Sequence, residues 1–177
     1  QSERNPLKKQ WYALVDVDPD RKRRKPETPT DEIVEIYNRT GPRISETAKK
    51  MNAFISSLQK ELKIKNKDTY VMGFSQGAML AMYVGLTRKY ELGGVFPFAG
   101  IVCGKDMLEK ELASRPGVYL FHGTSDLSVQ YKTLDFTKEW LDRHDIDWEA
   151  IEYDGIEHRL IEDEMKDAAE IINRRYA

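Results

Sequence analysis

What is scarce in these 177 residues narrows the field first. There is one cysteine, Cys103, so no internal disulfide framework can form and no thiol cluster offers a structural metal site. A lone thiol fits a reducing compartment, and the cytoplasm is the expected location. No apolar run approaches the roughly 18 residues needed to cross a bilayer, and the opening "QSERNPLKKQ" has no hydrophobic signal region, so stable membrane insertion is not expected. Charge of one sign is missing too. The 28 Lys and Arg and 30 Asp and Glu give a formal charge of −2 and are interspersed, so no global field favours nucleic acid. The default partner is a small or neutral ligand. Histidine is also rare, with three in the chain, which keeps the inventory of candidate general bases short.

The length is that of about one domain, residues 1–177, with enough chain to bury one sizeable core. "WYALVDV" (Trp11 to Val17) is aromatic and β-branched and predicts a short strand, and "DPDRKRRKPETPTDE" after it predicts an exposed loop. The basic run Arg21 to Lys25 is flanked by acids and reads as solvated. Ile44, Ala48, Met51, Phe54, Ile55, Leu58 and Leu62 fall at the spacing of one buried helical stripe. "TYVMGFS", "GGVFPFAG", "GVYLFHG" and "WEAIEYD" predict further strands. Helices are expected over "QGAMLAMYVGLTRKY", around Leu134 to Leu141, and at the end with a stripe of Ile161, Met165, Ala168 and Ile172. Short strands alternating with longer helices imply crossover connections, hence an α/β fold with a mostly parallel sheet covered on both faces. Ligands of such sheets bind beyond the carboxyl ends of the strands.

Three of those strand ends carry reactive residues. Ser75 sits in "GFSQG", between a strand and a helix, with Gly73 and Gly77 on either side. A strand that turns into a helix around one residue forces that residue into a strained conformation, which flanking residues without side chains accommodate. The hydroxyl is then pushed above the sheet, and the Gln76 N–H points to where an oxyanion would form. The pentapeptide alone arises by chance in roughly one chain in twenty of this length, so it needs partners. A serine hydroxyl requires a base, and the base requires an orienting group. His144, in "LDRHDID", reads as a surface residue or a helix C-terminal partner. His122, in "YLFHGTSD", reads as structural, with the glycine after it marking a backbone-packing position. His158, after "YDGIE", lies at a strand end behind a freeing glycine. Asp126 lies three residues beyond "VYLFHG" and also fits a helix cap or turn. Asp154, close to His158, is its rival. Ser75, Asp126, His158 is the chain order of the α/β-hydrolase triad.

Through "GFSQGAML", "FHGTSDLSVQY" and "YDGIEHRL", the sequence resembles the carboxylesterase, lysophospholipase and acyl-protein thioesterase family of small α/β hydrolases. "QWYALVDVDPD" is similar to that family's aromatic segment near the acyl site. The resemblance implies an α/β-hydrolase fold with Ser75 as nucleophile, His158 as general base and acid, Asp126 as its orienting carboxylate and the Gln76 amide as an oxyanion donor. Glu157 stands where the family commonly has a small residue, with an expected effect on anionic substrates or on the histidine's electrostatics. Family members begin with further strands and a His-Gly loop that supplies a second oxyanion N–H. The expectation is therefore an N-terminally truncated chain, most of a longer protein.

The expected reaction is two-step transfer of an acyl group from an ester or thioester to water, without metal or organic cofactor. Trp11 and Ile101, each beside a predicted strand end, are candidates for the wall of an apolar acyl site. A metal-hydrolase reading would join Asp126, His122 and His158, although no His-x-x-x-His pair is present. A third reading is a catalytically impaired binding or scaffold module. The residues leave substrate choice and a homodimer open.

Overall fold

The computed structural model describes residues 9–14, 17, 25–174 and 176. In chain order the helices and strands are α1 (Thr30–Asn38), α2 (Gly41–Leu62), β1 (Tyr70–Phe74), α3 (Gln76–Thr87), β2 (Gly94–Phe98), α4 (Lys105–Glu111), β3 (Val118–Gly123), α5 (Thr133–Arg143), β4 (Trp148–Tyr153) and α6 (Glu162–Arg174). The strands form one parallel sheet in the order β1-β2-β3-β4. Each helix from α3 to α5 therefore acts as a crossover between neighbouring strands, as parallel pairing demands.

Strand side chains alternate between two faces. Val95, Val118 and Leu120 join α3 and α5 residues such as Met82, Leu134 and Trp140 in one core. Phe96, Phe98 and Phe121 point to the other face, where Ala168 and Ile171 of α6 cover them. Phe98 and Phe121 stack with centroids 4.5 Å apart. Helices thus cover both faces, the α/β arrangement expected. The helix that follows Ser75, α3, is buried from Ala78 to Leu86 without a solvent face, because it packs on β1, β2, α2 and α4. The serine consequently sits at the amino end of the most deeply packed helix of its neighbourhood, itself only half-buried. One irregularity lies beside it: Val95 and Ala99 donate to Gly117 and Phe121 across β3, while Pro97 between them has no N–H to donate.

The structure differs from the expected elements in five places. The described residues of the predicted strand, 11–14 and 17, are not in a strand, and Val15 and Asp16 lie outside the description. Tyr12 and Leu14 are nonetheless buried, tied down by side chains rather than by a strand ladder: Arg43 Nη1 donates to Ala13 O at 2.9 Å. The last three residues of the predicted loop, Thr30 to Glu32, open α1, whose buried Ile33, Val34 and Tyr37 lie just beyond it; three inward positions are too few to show a period against so much flanking charge. Arg21 to Arg24 of the basic run lie outside the described residues. The stripe of α2 buries Ile44, Ala48 and Ile55 but leaves Phe54 and Leu62 more than half exposed, at 56% and 59%. In α6 the inward face is Glu164, Ala168 and Ile171, with Met165 turned outward. Glu164 faces inward because its carboxylate accepts the Ile161 N–H at 2.9 Å, satisfying an end group of the helix, and burial raises its pKa. The short α4 had no counterpart among the expected elements.

Candidate active site

Ser75 caps α3 with φ 55° and ψ −117°, a positive φ that residues with side chains rarely adopt. Its N–H donates to Phe98 O at 2.9 Å and its carbonyl accepts from Ala78 and Met79, so the turn is held from both sides. The two flanking glycines differ. A Cβ on Gly73 would lie 2.3 Å from the backbone of Gly77, a clash no rotamer relieves, whereas one on Gly77 would meet the Trp11 indole nitrogen at 3.4 Å. Gly73 is thus required by close backbone approach, and Gly77 touches a movable side chain.

Asp126 follows β3 and is 1% exposed. Oδ1 accepts the N–H groups of Ser128 and Val129 at 2.8 and 3.0 Å, the turn-closing role expected of an aspartate here. Oδ2 accepts from His158 Nδ1 at 2.7 Å. One carboxylate therefore serves both the turn and the imidazole. Burial opposes its ionisation, but donation from His122 and His158, the His158 charge and the Ser128 N–H outweigh it and hold the Asp126 pKa down to about 2. A carboxylate acceptor fixes hydrogen on Nδ1 of His158. That leaves the Nε2 lone pair for the Ser75 hydroxyl, whose Oγ lies 2.9 Å away. The His158 ring packs on Phe74, centroids 4.7 Å apart.

Asp154, the rival carboxylate, accepts instead from Thr124 Oγ1 at 3.2 Å. The same hydroxyl takes the Gly155 N–H at 2.9 Å, and Gly123 packs so tightly under Ile156 that a Cβ there would lie 2.1 Å from its carbonyl oxygen. These contacts bind the loop of His158 to the loop of Asp126. His144 ends α5, with Nδ1 2.7 Å from Trp140 O and its ring stacked on that indole at 4.0 Å, remote from Ser75 in role. His122 is buried beside Asp126, with Nε2 2.9 Å from Val129 O. Among the described residues no group of three or more His, Cys, Asp or Glu could hold a metal ion. Of the Asp126, His122 and His158 set of the metal reading, Asp126 and His158 are hydrogen-bonded to each other and His122 to Val129 O.

Gln76 opens α3, and the N–H of a first helical residue has no acceptor within the helix. Its side chain does separate work. Oε1 accepts the Trp11 N–H at 2.9 Å and Nε2 donates to Tyr12 O at 2.7 Å, fastening residues 11–12 over the elbow. The adjoining cleft is lined by Leu14, Tyr37, Ser75, Gln76, Met79, Ser128, Val129 and His158. Trp11 and Ile101, the expected wall residues, are not among them. Ile101 is fully buried in the core because the chain after β2 turns inward, and Trp11 is 52% exposed, lying over Gly77 outside the cleft.

Chemically, a hydroxyl on a strained turn faces an imidazole lone pair, and a buried carboxylate holds the far side of that ring. A profile of the Phospholipase/Carboxylesterase family matches residues 2–175 of the chain. The chain belongs to this family. As a phospholipase/carboxylesterase-family chain, it is 25% identical over 134 residues to acyl-protein thioesterase 1 of Saccharomyces cerevisiae, covering 68% of this chain and 58% of that protein. For acyl-protein thioesterase 1 of Kluyveromyces lactis the figures are 26% over 137 residues, 74% and 60%. The chain thus spans about 60% of the length of these curated relatives. The crystal structure of esterase PE8 superposes with a TM-score of 0.74 at 26% identity, covering 97% of this chain and 73% of that one. Arabidopsis thaliana SOBER1 gives 0.73 at 23%, covering 77% and 66%, a likeness of fold. The fold of this family member is accordingly that of the α/β hydrolases.

The sequence signals missed Leu14, Tyr37, Met79, Ser128 and Val129 in the cleft and Phe74 against the imidazole. Leu14 comes from the segment read as a strand, and Tyr37 from the stretch between the predicted loop and the long helix, to which no element was assigned. Phe74, Ser128 and Val129 are neighbours of Ser75 and Asp126, and their proximity was available from chain position alone.

Proposed function

We propose that this protein is a serine hydrolase that cleaves carboxylic esters or thioesters through a covalent acyl-enzyme. The observation that carries the reading is the unbroken row from Ser75 Oγ to His158 Nε2 at 2.9 Å and from His158 Nδ1 to Asp126 at 2.7 Å. His158 takes the Ser75 proton as Oγ attacks the carbonyl carbon. The resulting oxyanion is stabilised by the Gln76 N–H and the amino end of α3. His158, now imidazolium beside the Asp126 carboxylate, gives its proton to the departing alcohol or thiol. Water then attacks the acyl-enzyme with His158 again as base, and Ser75 is restored.

Leu14, Tyr37, Met79 and Val129 give the cleft an apolar wall for an acyl group. Short acyl esters, lysophospholipids and acyl-cysteine thioesters are the substrate classes this reading covers, and the names of the yeast relatives favour thioesters. The test is turnover of a chain-length series of aryl esters and acyl thioesters by the full protein and by Ser75→Ala. Hydrolysis lost in the variant is the expected result. Absence of turnover by folded wild-type protein on every member would favour a binding or scaffold module.

A further inference from the structure

Asp126 has a second imidazole beside it. His122, on β3, is 1% exposed, and its Nε2 lies 2.9 Å from Val129 O and 3.5 Å from Asp126 Oδ2. A carbonyl at that distance requires hydrogen on Nε2. Nδ1 of the same ring is buried with no hydrogen-bond partner. A donor left unpaired in the interior is rarer than an unpaired acceptor, so the neutral ring with hydrogen on Nε2 alone fits this environment.

We infer that His122 is a positioning residue for the Ser75, His158 and Asp126 row: its Nε2–H is bonded to Val129 O, and that nitrogen stands 3.5 Å from Asp126 Oδ2, where its positive edge steadies the carboxylate oxygen that orients His158. The inference rests on the hydrolase reading above. Oδ1 is already held by two backbone amides, so rotation of the carboxylate is governed by what holds Oδ2, and His122 reaches that oxygen together with His158. Val129 is gripped twice, its N–H by Asp126 Oδ1 and its carbonyl by His122, which closes the 126–129 turn onto β3. Tyr131 packs edge-on against the His122 ring at 5.9 Å. Its hydroxyl donates to Glu152 on β4, which also pairs with Lys138 on α5 at 2.7 Å. Glu164 on α6 is the remaining acid near this ring, while Glu157 and Asp154 lie on the loop that carries His158. Among these, Asp126 is the carboxylate His122 touches.

The role predicts a pH signature that mere packing does not. The imidazole N–H beside Oδ2 offsets negative charge on the oxygen that accepts the His158 N–H. Without it the oxygen attracts that N–H more strongly, the imidazolium forms more readily, and the neutral base is lost at higher pH. The experiment is kcat and KM for a small aryl ester across about pH 5 to 9 on the full protein, His122→Leu, His122→Gln and Ser75→Ala. In His122→Leu, kcat should fall about tenfold with KM within about twofold, and the acid limb should move up by about half a pH unit to one unit. His122→Gln, which places an N–H where Nε2 lies, should restore the limb. Folded variants with an unmoved limb would overturn the inference. If His122→Leu does not fold, nitrogen NMR of the wild-type imidazoles decides, with only three histidines to assign. A neutral His122 bearing hydrogen on Nε2 throughout the limb supports the role, and hydrogen on Nδ1 or titration within the limb refutes it. Full turnover by Ser75→Ala would instead remove the hydrolase reading itself.

Discussion

Replacing Asp126 by Asn keeps the size of the side chain and reverses half of its hydrogen bonding. The carboxylate accepts from His158 Nδ1 on one oxygen and from the Ser128 and Val129 amides on the other. An amide has one oxygen. If it stays with the two backbone donors, its NH2 faces Nδ1–H of His158, donor against donor. The imidazole then escapes by moving hydrogen to Nε2, and the lone pair aimed at Ser75 is gone. If the amide flips, its NH2 confronts two N–H groups and the turn is lost. Either way kcat should fall on the order of 10⁴-fold, the scale of a wrong tautomer in such a triad. The same substitution changes the pH dependence of stability. Asp126 titrates near 2 when folded against an ordinary 3.8, so its ionisation stabilises the fold by about 2 kcal/mol above pH ~4. A lowered carboxyl pKa means that this contribution is lost as pH falls from about 4 to about 2. Aryl-ester kinetics near neutrality and urea unfolding at stepped pH read the two effects separately. A variant within tenfold of wild-type kcat, or stability curves that run parallel through the acid range, would refute the reasoning.

Other perturbations probe the supports of the site. Gly73→Ala should abolish folding or cost several kcal/mol, because its Cβ would enter the Gly77 backbone, while Gly77→Ala needs only a shift of Trp11; thermal unfolding of the pair distinguishes a general glycine requirement from this one-sided one. Gln76→Leu keeps the main-chain N–H but removes both side-chain bonds to residues 11 and 12, so stability should drop by about 1–3 kcal/mol while Ser75 stays reactive. Unchanged stability in that variant would show that the 11–14 segment is held by Tyr12 and Leu14 burial and the Arg43 bond to Ala13 O without help from Gln76.

Much of this arrangement was legible from local signals. Three of the four strands were visible as short apolar runs and β4 as an alternating one, and Ser75, Asp126 and His158 were visible because each lies at or shortly beyond a strand's carboxyl end. The inward face of α6 was not, since Glu164 is counted as polar by any hydrophobic pattern and is turned inward by its bond to the Ile161 N–H. Trp11 and Ile101 were misplaced for a related reason. Proximity to a strand end does not say whether a side chain faces the cleft, the core or solvent, and here Ile101 turned to the core and Trp11 to solvent. The pairing of Asp154 with Thr124 rather than His158 depends on how two loops meet, which no spacing in one loop encodes.

The central claim is that Ser75 is a nucleophile activated by His158, and a serine-reactive fluorophosphonate tests it most directly. Full protein near neutral pH should take up one probe per chain on the peptide carrying "GFSQGAML". Labelling should vanish in Ser75→Ala and slow by orders of magnitude in a folded His158→Ala variant. Folded protein that stays unlabelled, or that labels at another residue, would contradict it.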